Sequence, residues 1–374
     1  MNKVVVVSAY RTAIGVYKKT FADKDIVIMA SKIVEHIMKT TKLSNDIIDE
    51  VILGNVLQAN RGQNIARQVA LKSGLDIKTS AYTVNMVCGS GMKSIILGVN
   101  SIMSGENEIV LVGGLEHMSS TPMSTILKDG LTDSIYDIHM GITAENIGKR
   151  YMFSREELDN YALLSQQKAT KAIEDGKFKD EIVEIFEVSQ DEFVRKNQKI
   201  EELEKLKPAF IENGLVTAGN CTGINDGVAM LLLMTEQKAK ELNLEILAYI
   251  SSYASAGLDP RYMGLGPIFS TRKLLDKSNI NIKDIDLFEI NEAFATQTLA
   301  VIKELNLDVD KVNVNGGAIA LGHPIGASGS RIVVSLIHEM KKRNSKSGLA
   351  SLCVGGGQGV SILLTRGELK WKLE

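Results

Sequence analysis

The chain has 374 residues, 44% hydrophobic and 24% charged, and a formal net charge of −2. This composition predicts a large buried core arranged as two domains or one duplicated unit, and it excludes the strongly basic surface of a nucleic-acid-binding protein. The three cysteines, Cys88, Cys221 and Cys353, form no CxxC pair, so neither a disulfide framework nor a metal site is expected. No apolar run reaches the ~18 residues of a membrane span. Because strand-like sequence begins at Val4, we expect no leader and a cytoplasmic protein without a membrane partner.

Buried strands and helices alternate through the first third of the chain. Apolar and β-branched runs predict strands at 3–8, 51–57, 82–87 and 108–113. Helical spacing predicts helices at 26–40, 64–73 and 92–103. This alternation predicts an α/β unit with a mostly parallel sheet.

Cys88 lies where the predicted strand 82–87 meets a helix, followed by Gly89-Ser90-Gly91. A sulfur near a helix N-terminus is expected to have a lowered pKa, because free N–H groups and the dipole favour an anion. The glycines are expected to leave room for a substrate at the sulfur. The alternative is a buried cysteine that acts as a small hydrophobic residue.

Three segments of the first half recur in the same order in the second half. Residues 48–53 (IDEVIL) read like 285–290 (IDLFEI), Ser90-Gly91 matches Ser328-Gly329, and 109–114 match 349–356. Preserved order predicts a duplication, and two unrelated α/β segments remain the alternative.

The sequence between the halves is more polar. Helices are predicted at 143–151 and 155–175, the second opened by a capping box of Ser154 and Glu157. Their apolar stripes indicate an inserted domain rather than a linker. The charged stretch 190–207 is interpreted as a solvated face, with the rim of a ligand site as the alternative. The run 226–242 (DGVAMLLLMTEQKAKEL) is predicted to be a helix that packs on the core.

Four motifs, in this order, carry a specific resemblance: VCGSGMKS (87–94), NEAFA (291–295), GHP (322–324) and CVGGG (353–357). With RTAIG at 11–15, the set resembles the thiolases from the first strand to Thr365. The resemblance implies a thiolase-like α/β fold, in which two duplicated βαβαβ-type halves form a layered α-β-α-β-α core with an inserted α-rich loop domain. The resemblance implies an N-terminal half at 1–118, to which a helix at 226–242 returns. An inserted domain at 119–225 is expected to bind coenzyme A, and the C-terminal half is expected at 243–374.

Joining two acyl thioesters requires a nucleophile, a base for an α-proton, and donors for the oxyanion and the enolate. By resemblance, Cys88 is the acylated nucleophile, His323 takes its proton, and Cys353 is the acid/base. A buried cysteine at a strand end is the alternative for Cys353. Asn291 resembles the amide that holds a water beside His323 in the enolate oxyanion hole. The N–H groups of Cys88 and Gly355 are implied as the second hole.

The resemblance also implies a tunnel for the acyl group and coenzyme A. His139 and Met140, in an HMG segment, and Met263 match residues that border it. The family pattern AGNASGxNDG appears from Ala218 as AGNCTGINDG, so Thr222 stands where a serine contacts coenzyme A, preceded by Cys221. Arg195 falls where a second contact with coenzyme A is expected. His117 replaces an asparagine of the family and is assigned no function.

The expected reaction is 2 acetyl-CoA ⇌ acetoacetyl-CoA + CoA, with coenzyme A as substrate and product and no cofactor. The alternatives are a thiolase for longer 3-ketoacyl-CoA and a thiolase-like protein that binds coenzyme A without turnover. A decarboxylating ketosynthase is disfavoured, because it needs a second histidine where this chain has Asn291.

The assembly expected from the resemblance is a homodimer. Tetrameric thiolases carry a projecting, positively charged loop soon after the segment that corresponds to His117-Met118. Here Met123 is followed within a few residues by KDGLTD (128–133), which matches the sequence beyond that loop. The loop is therefore predicted to be missing, and the dimer contact is placed near the Cys88 strand.

Overall fold

The structure, a computed structural model, describes residues 3–367. Residues 1 and 2 of the predicted region 1–118, and residues 368–374 of the predicted region 243–374, lie outside the described residues. Its strands are β1 Val4–Arg11, β2 Gly15–Val16, β3 Glu50–Gly54, β4 Ser80–Val84, β5 Ile109–His117, β6 Thr132–Asp133, β7 Ile138–His139, β8 Asn225–Thr235, β9 Ala248–Gly257, β10 Leu287–Ile290, β11 Ser347–Val354 and β12 Gln358–Thr365.

Its α-helices are α1 Ile26–Thr41, α2 Ile65–Lys72, α3 Ser90–Ser104, α4 Met123–Thr125, α5 Met140–Tyr151, α6 Arg155–Glu174, α7 Ile200–Glu204, α8 Glu236–Glu241, α9 Gly266–Ser278, α10 Ala295–Leu305, α11 Ala318–Leu321 and α12 Ile325–Arg343. Among residues 3–367, no helix is long and apolar enough to cross a membrane.

Most strands form one sheet in which each half repeats the same pairing pattern. The order is β10-β11-β12-β9-β1-β8-β5-β3-β4. In the first half, β3 and β5 are parallel and β8 and β1 follow as antiparallel neighbours. In the second half, β10 and β11 are parallel, with β12 and β9 antiparallel. The two halves meet at β1 and β9, with Val5 opposite Tyr249. The predicted duplication is therefore visible in the topology.

Helices α3 and α12 form the middle layer, between the two halves of the sheet. One core contains Ile95 of α3, Ile332 of α12, Val112 of β5 and Leu352 of β11. The helices α1 and α2 cover the outer face of the first half, and α9 and α10 cover that of the second. The layers are α-β-α-β-α, as expected.

Two glycines allow α3 and α12 to approach closely. A Cβ on Gly91 would lie 2.9 Å from the backbone N of Ser330, and one on Gly329 would lie 2.5 Å from the backbone N of Met92. A Cβ on Gly89 would meet the Val354 side chain at 2.9 Å. Packing therefore requires glycine at positions 89 and 91, and the expected room for a substrate stays a prediction.

The prediction of a helix at 226–242 is wrong. Residues Asn225–Thr235 form strand β8, and only Glu236–Glu241 are helical. Between β1 and β5, residues 225–234 are all buried, so the run is apolar on both faces and shows no periodicity that would separate a strand from a helix. The segment does return to the first half of the sheet, as predicted.

Candidate active site

Cys88 lies on a tight turn between β4 and α3. The preceding residue, Val87, has φ +46°, a left-handed conformation that is unfavourable for a β-branched side chain. The Ser90 hydroxyl accepts from the N–H of Met86 at 2.9 Å and donates to the carbonyl of Val87 at 2.6 Å. Gly89 is the N-cap residue of α3. The turn thus holds the sulfur just before the helix N-terminus, as predicted.

The surroundings of Cys88 raise its pKa rather than lower it. Burial raises the pKa of the thiol to about 11, although hydrogen bonds from the N–H groups of Gly355 and of Cys88 itself oppose the shift, and the charge of Glu116 adds to it. The expected lowering is therefore wrong for the unliganded site, because loss of water outweighs the helix N-terminus. The resting thiol is neutral, so its reaction requires a base.

His323 has the tautomer and the charge state of such a base. The Ser328 hydroxyl donates to the carbonyl of Pro324 at 2.9 Å, so its oxygen accepts from Nδ1–H of His323 at 2.5 Å. This leaves the lone pair on Nε2. Burial, together with the charge of Arg331, lowers the pKa of His323 to about 3, which keeps the imidazole neutral at physiological pH.

The backbone of His323 is also fixed. Its N–H donates to the side-chain oxygen of Asn225 at 2.9 Å, and the Asn225 amide donates to the carbonyl of Gly15 at 3.0 Å. Gly322, just before it, has φ +106°, a conformation that glycine adopts without strain. Asn225, the first residue of β8, thereby holds the GHP turn of the second half.

Cys353 lies near the end of β11, 1% exposed, in the second half of the sheet. Burial and the nearby Cys88 raise its pKa. Gly356 and Gly357, which follow the site, have φ +81° and +77°. A Cβ on Gly355 would lie 3.2 Å from the Val87 side chain. The structure therefore brings both cysteines and the Gly355 N–H together at one centre.

Asn291 follows β10 and is fully buried. Its N–H donates to the carbonyl of Ser351 at 3.0 Å, but both amide atoms of its side chain have no hydrogen-bond partner among residues 3–367. The next residue, Glu292, accepts from the hydroxyls of Tyr161 at 2.9 Å and Ser165 at 2.7 Å. These bonds anchor the loop on α6, while the Asn291 amide stays available for a ligand or water.

The predicted acyl-pocket residues surround Cys353. Met140, Met263 and Phe294 are buried in one cluster with it, and Cys221 packs against them. Phe210 also packs there. His139 stacks on the Phe210 ring with centroids 4.8 Å apart, and its Nδ1 accepts from the N–H of Gly141 at 3.0 Å. An open cleft of about 450 Å³, lined by residues 207–213, lies beside Phe210.

The other predicted coenzyme A residues lie further out. The Arg195 guanidinium donates to the carbonyl of Ala218 at 3.3 Å, so these two are neighbours. The Thr222 hydroxyl donates to the carbonyl of Ala318 at 2.9 Å. The hydroxyl oxygen can still accept a hydrogen bond from a ligand, but its proton is already donated to Ala318.

Sequence reasoning missed Glu116, Asn225 and Ser328, which position the site. The buried Glu116 carboxylate accepts from the N–H groups of Val56 and Leu57, at 3.0 and 3.2 Å. A signal was present: one carboxylate stands near the end of the apolar run IVLVGGLEHM, which forms β5 as far as His117. Ser328 gave no such signal, because its hydroxyl meets His323 only in the folded chain.

A half-buried thiol, a neutral imidazole and main-chain donors suit acyl transfer through a thioester, the chemistry of thiol-dependent acyltransferases. The thiolase N-terminal domain matches residues 4–237, and the thiolase C-terminal domain matches residues 244–366. The chain belongs to the thiolase family, whose members are acyl-CoA acyltransferases.

Curated relatives and solved structures are similar to this protein over nearly its whole chain. A probable acetyl-CoA acyltransferase of Staphylococcus aureus (strain COL) is 49% identical, over 98% of this chain and 100% of its own. The Bacillus anthracis acetyl-CoA acetyltransferase structure is 44% identical with a TM-score of 0.95, covering 98% of this chain and 99% of that one. Human mitochondrial 3-ketoacyl-CoA thiolase is 39% identical with a TM-score of 0.94, at the same coverage. A structure of that human enzyme with CoA has a TM-score of 0.95 at 39% identity and covers 98% of each chain.

Proposed function

We propose that this thiolase is an acetyl-CoA C-acetyltransferase, which condenses two acetyl-CoA to acetoacetyl-CoA and CoA. The observation that carries the proposal is the closed apolar cluster at Cys353, where Met140, Met263 and Phe294 are at most 7% exposed. Such walls suit a short acyl group. The likeness to the Bacillus anthracis acetyltransferase supports the same substrate.

The first half-reaction uses Cys88 and His323. Nε2 of His323 takes the thiol proton as the sulfur attacks the thioester carbonyl, which offsets the raised pKa of Cys88. The N–H groups of Cys88 and Gly355 stabilise the oxyanion, and CoA leaves as its C–S bond breaks and its sulfur takes the proton of Cys353. The acyl group then resides on Cys88.

The second half-reaction uses Cys353, His323 and Asn291. Cys353, left as a thiolate when it gives its proton to the departing CoA, removes a proton from the methyl carbon of the second acetyl-CoA. The enolate oxygen faces His323 and a water held by the Asn291 amide, and its carbon attacks the acyl-Cys88. When the acetyl group leaves Cys88, the Cys88 thiolate recovers its proton from His323. The residues that hold coenzyme A are His139, Met140, Met263, Thr222, Ala218 and Arg195, with no metal or other cofactor.

A longer 3-ketoacyl-CoA substrate is the second candidate, favoured by the likeness to human 3-ketoacyl-CoA thiolase. Measuring kcat/KM for thiolysis of 3-ketoacyl-CoA with four to ten acyl carbons separates the two. We expect the highest value at four carbons and a steep fall beyond. A maximum at eight or ten carbons would identify the longer-chain enzyme, and no CoA-dependent loss of the acetoacetyl-CoA enolate absorbance would indicate binding without turnover.

We also propose that the protein is a cytoplasmic homodimer. Strand β4 is the sheet edge, and within residues 3–367 it pairs only with β3. Exposed apolar side chains lie on and near it: Tyr82 is 38% exposed and Ile77 76%. The alignment with the Staphylococcus aureus relative spans 392 positions, more than the 374 residues here, so this chain lacks residues that the relative has.

A further inference from the structure

Arg331 is a guanidinium buried without a hydrogen-bond acceptor. It lies on α12, 2% exposed, and none of its three nitrogens has a hydrogen-bond partner among the described residues. Its ion-pair partner is Glu289 of β10, with Nη1 3.7 Å from Oε2. That separation exceeds a hydrogen bond. A buried guanidinium with unsatisfied donors is costly and requires an explanation.

Glu289 and Asn291 share one face of the chain along β10. Leu287 belongs to the central core with α12, whereas Phe288 and Ile290 belong to the outer core. Because side chains alternate along a strand, Glu289 and Asn291 face α12 as Leu287 does. Both amide atoms of Asn291 are unpartnered within residues 3–367. Orphaned polar groups therefore line one layer between β10 and α12.

This layer extends to the catalytic histidine. Ser328, which holds Nδ1 of His323, precedes Arg331 by three residues on α12, so the two side chains lie on the same side of the helix. The charge of Arg331 also acts on His323, since it contributes to the lowered pKa of that residue. Arg331 is thus electrostatically coupled to the reacting centre.

Ordered water explains these groups best. Buried polar atoms are nearly always paired with protein or with internal water, and a guanidinium, a carboxyl group and an amide offer the donors and acceptors that such water needs. An anion at Arg331 is disfavoured, because the acidic groups of Glu181 and Asp191, besides Glu289, already act on this guanidinium. We propose that Arg331, Glu289 and Asn291 enclose an internal water site, and that Arg331 and Glu289 are positioning residues for the water that Asn291 presents to the enolate.

The role in positioning rests on the proposed function, whereas the water site does not. The enolate oxygen meets the Asn291 water only when the α-carbon reacts. Acyl transfer to Cys88 uses the N–H groups of Cys88 and Gly355 instead. Disturbing the water should therefore slow condensation far more than acylation, in which Arg331 takes part only through the effect of its charge on His323.

The test replaces both partners, Glu289→Gln with Arg331→Met, so that neither remains buried without the other. Rapid quench and mass spectrometry give the rate of acetyl transfer from acetyl-CoA to Cys88, and absorbance gives kcat for acetoacetyl-CoA formation. We expect acetylation to stay within about twofold and kcat to fall about tenfold to a hundredfold, less than for loss of a direct oxyanion donor. Arg331→Lys, which keeps the charge and three donors, should recover part of the loss.

The matched control is Glu339→Gln with Arg343→Met, an ion pair with a 2.5 Å contact on the same helix. It should change neither rate by more than about twofold. A parallel loss of acetylation and condensation in the first variant would indicate a purely structural role and overturn the positioning claim. A high-resolution crystal structure should show ordered water against Arg331, and a dry space or a halide there would overturn the water site. If the wild type is never acetylated, the proposed function fails, and the density still decides the water site.

Discussion

The Glu116 carboxylate accepts a hydrogen bond from the backbone N–H of Gly326, with Oε2 and N 3.0 Å apart. Glu116 is the penultimate residue of β5, and Gly326 lies in the first turn of α12, the helix that carries Ser328. The same carboxylate holds Val56 and Leu57 beyond β3. One buried side chain thus fixes the first half of the molecule against the helix that orients His323.

We expect Glu116→Gln to destabilise the protein by about 1–3 kcal/mol for each donor left facing the amide NH₂ group. The activity should fall as well, because the start of α12 loses its anchor. Urea unfolding and kcat of acetoacetyl-CoA formation measure the two effects. Glu50→Gln, on a half-buried carboxyl at the start of β3, is the control. Wild-type stability in the Glu116 variant would show that the anchor is dispensable.

The two cysteines are predicted to have separable roles. Cys88→Ala should abolish acyl transfer, whereas Cys353→Ser should still be acetylated at Cys88 and condense slowly, because a hydroxyl is a far weaker acid/base than a thiol. Mass spectrometry after incubation with acetyl-CoA distinguishes the variants. Acetyl on Cys353 but not on Cys88 would reverse the assignment.

The reactivity of Cys88 should depend on His323 and on Ser328. Burial raises the pKa of the thiol to about 11, so His323→Ala should slow alkylation by iodoacetamide near pH 7. Ser328→Ala should slow it too, because Nε2 is no longer held as the unprotonated nitrogen. Unchanged rates in both variants would mean that the turn and the Gly355 N–H alone set the reactivity.

The lowered pKa of His323 predicts a stability that depends on pH. Its pKa is about 3 when folded against 6.5 for the ordinary group, so between these values only the unfolded chain binds the proton. Stability must therefore fall as pH falls below 6.5, by up to about 1.4 kcal/mol per pH unit from this group. His323→Ala should reduce the slope of unfolding free energy from pH 6 to pH 4 by that amount. An identical slope, measured by urea titration, would refute the buried neutral state.

We expect the mass of two chains from light scattering coupled to size exclusion. Ile77→Asp with Tyr82→Arg, at the exposed edge beside β4, should yield monomers, because charges replace apolar contacts there. Ile135→Asp, at a side chain 66% exposed in the segment that follows the position of the missing loop, is the control and should leave the mass unchanged. A four-chain mass that Ile135→Asp halves would show that this segment replaces the loop.

The sequence by itself determined the elements whose signals are local. Period and turn residues predict most helices and strands, place Cys88 between a strand and a helix, and reveal the duplication. The motif order indicates the family. Strand β8 escaped this reasoning, because burial on both faces removes the alternation that would distinguish a strand from a helix.

Only the tertiary structure decided the electrostatics and the positioning of the site. A helix N-terminus in the sequence suggests an acidic Cys88, but the pKa depends on how much water the folded chain removes, and burial prevails. The lone pair on Nε2 of His323 depends on Ser328, whose hydroxyl is directed by the backbone at Pro324. The buried Arg331 and Glu116 act across elements far apart in the chain, and no local pattern encodes such contacts.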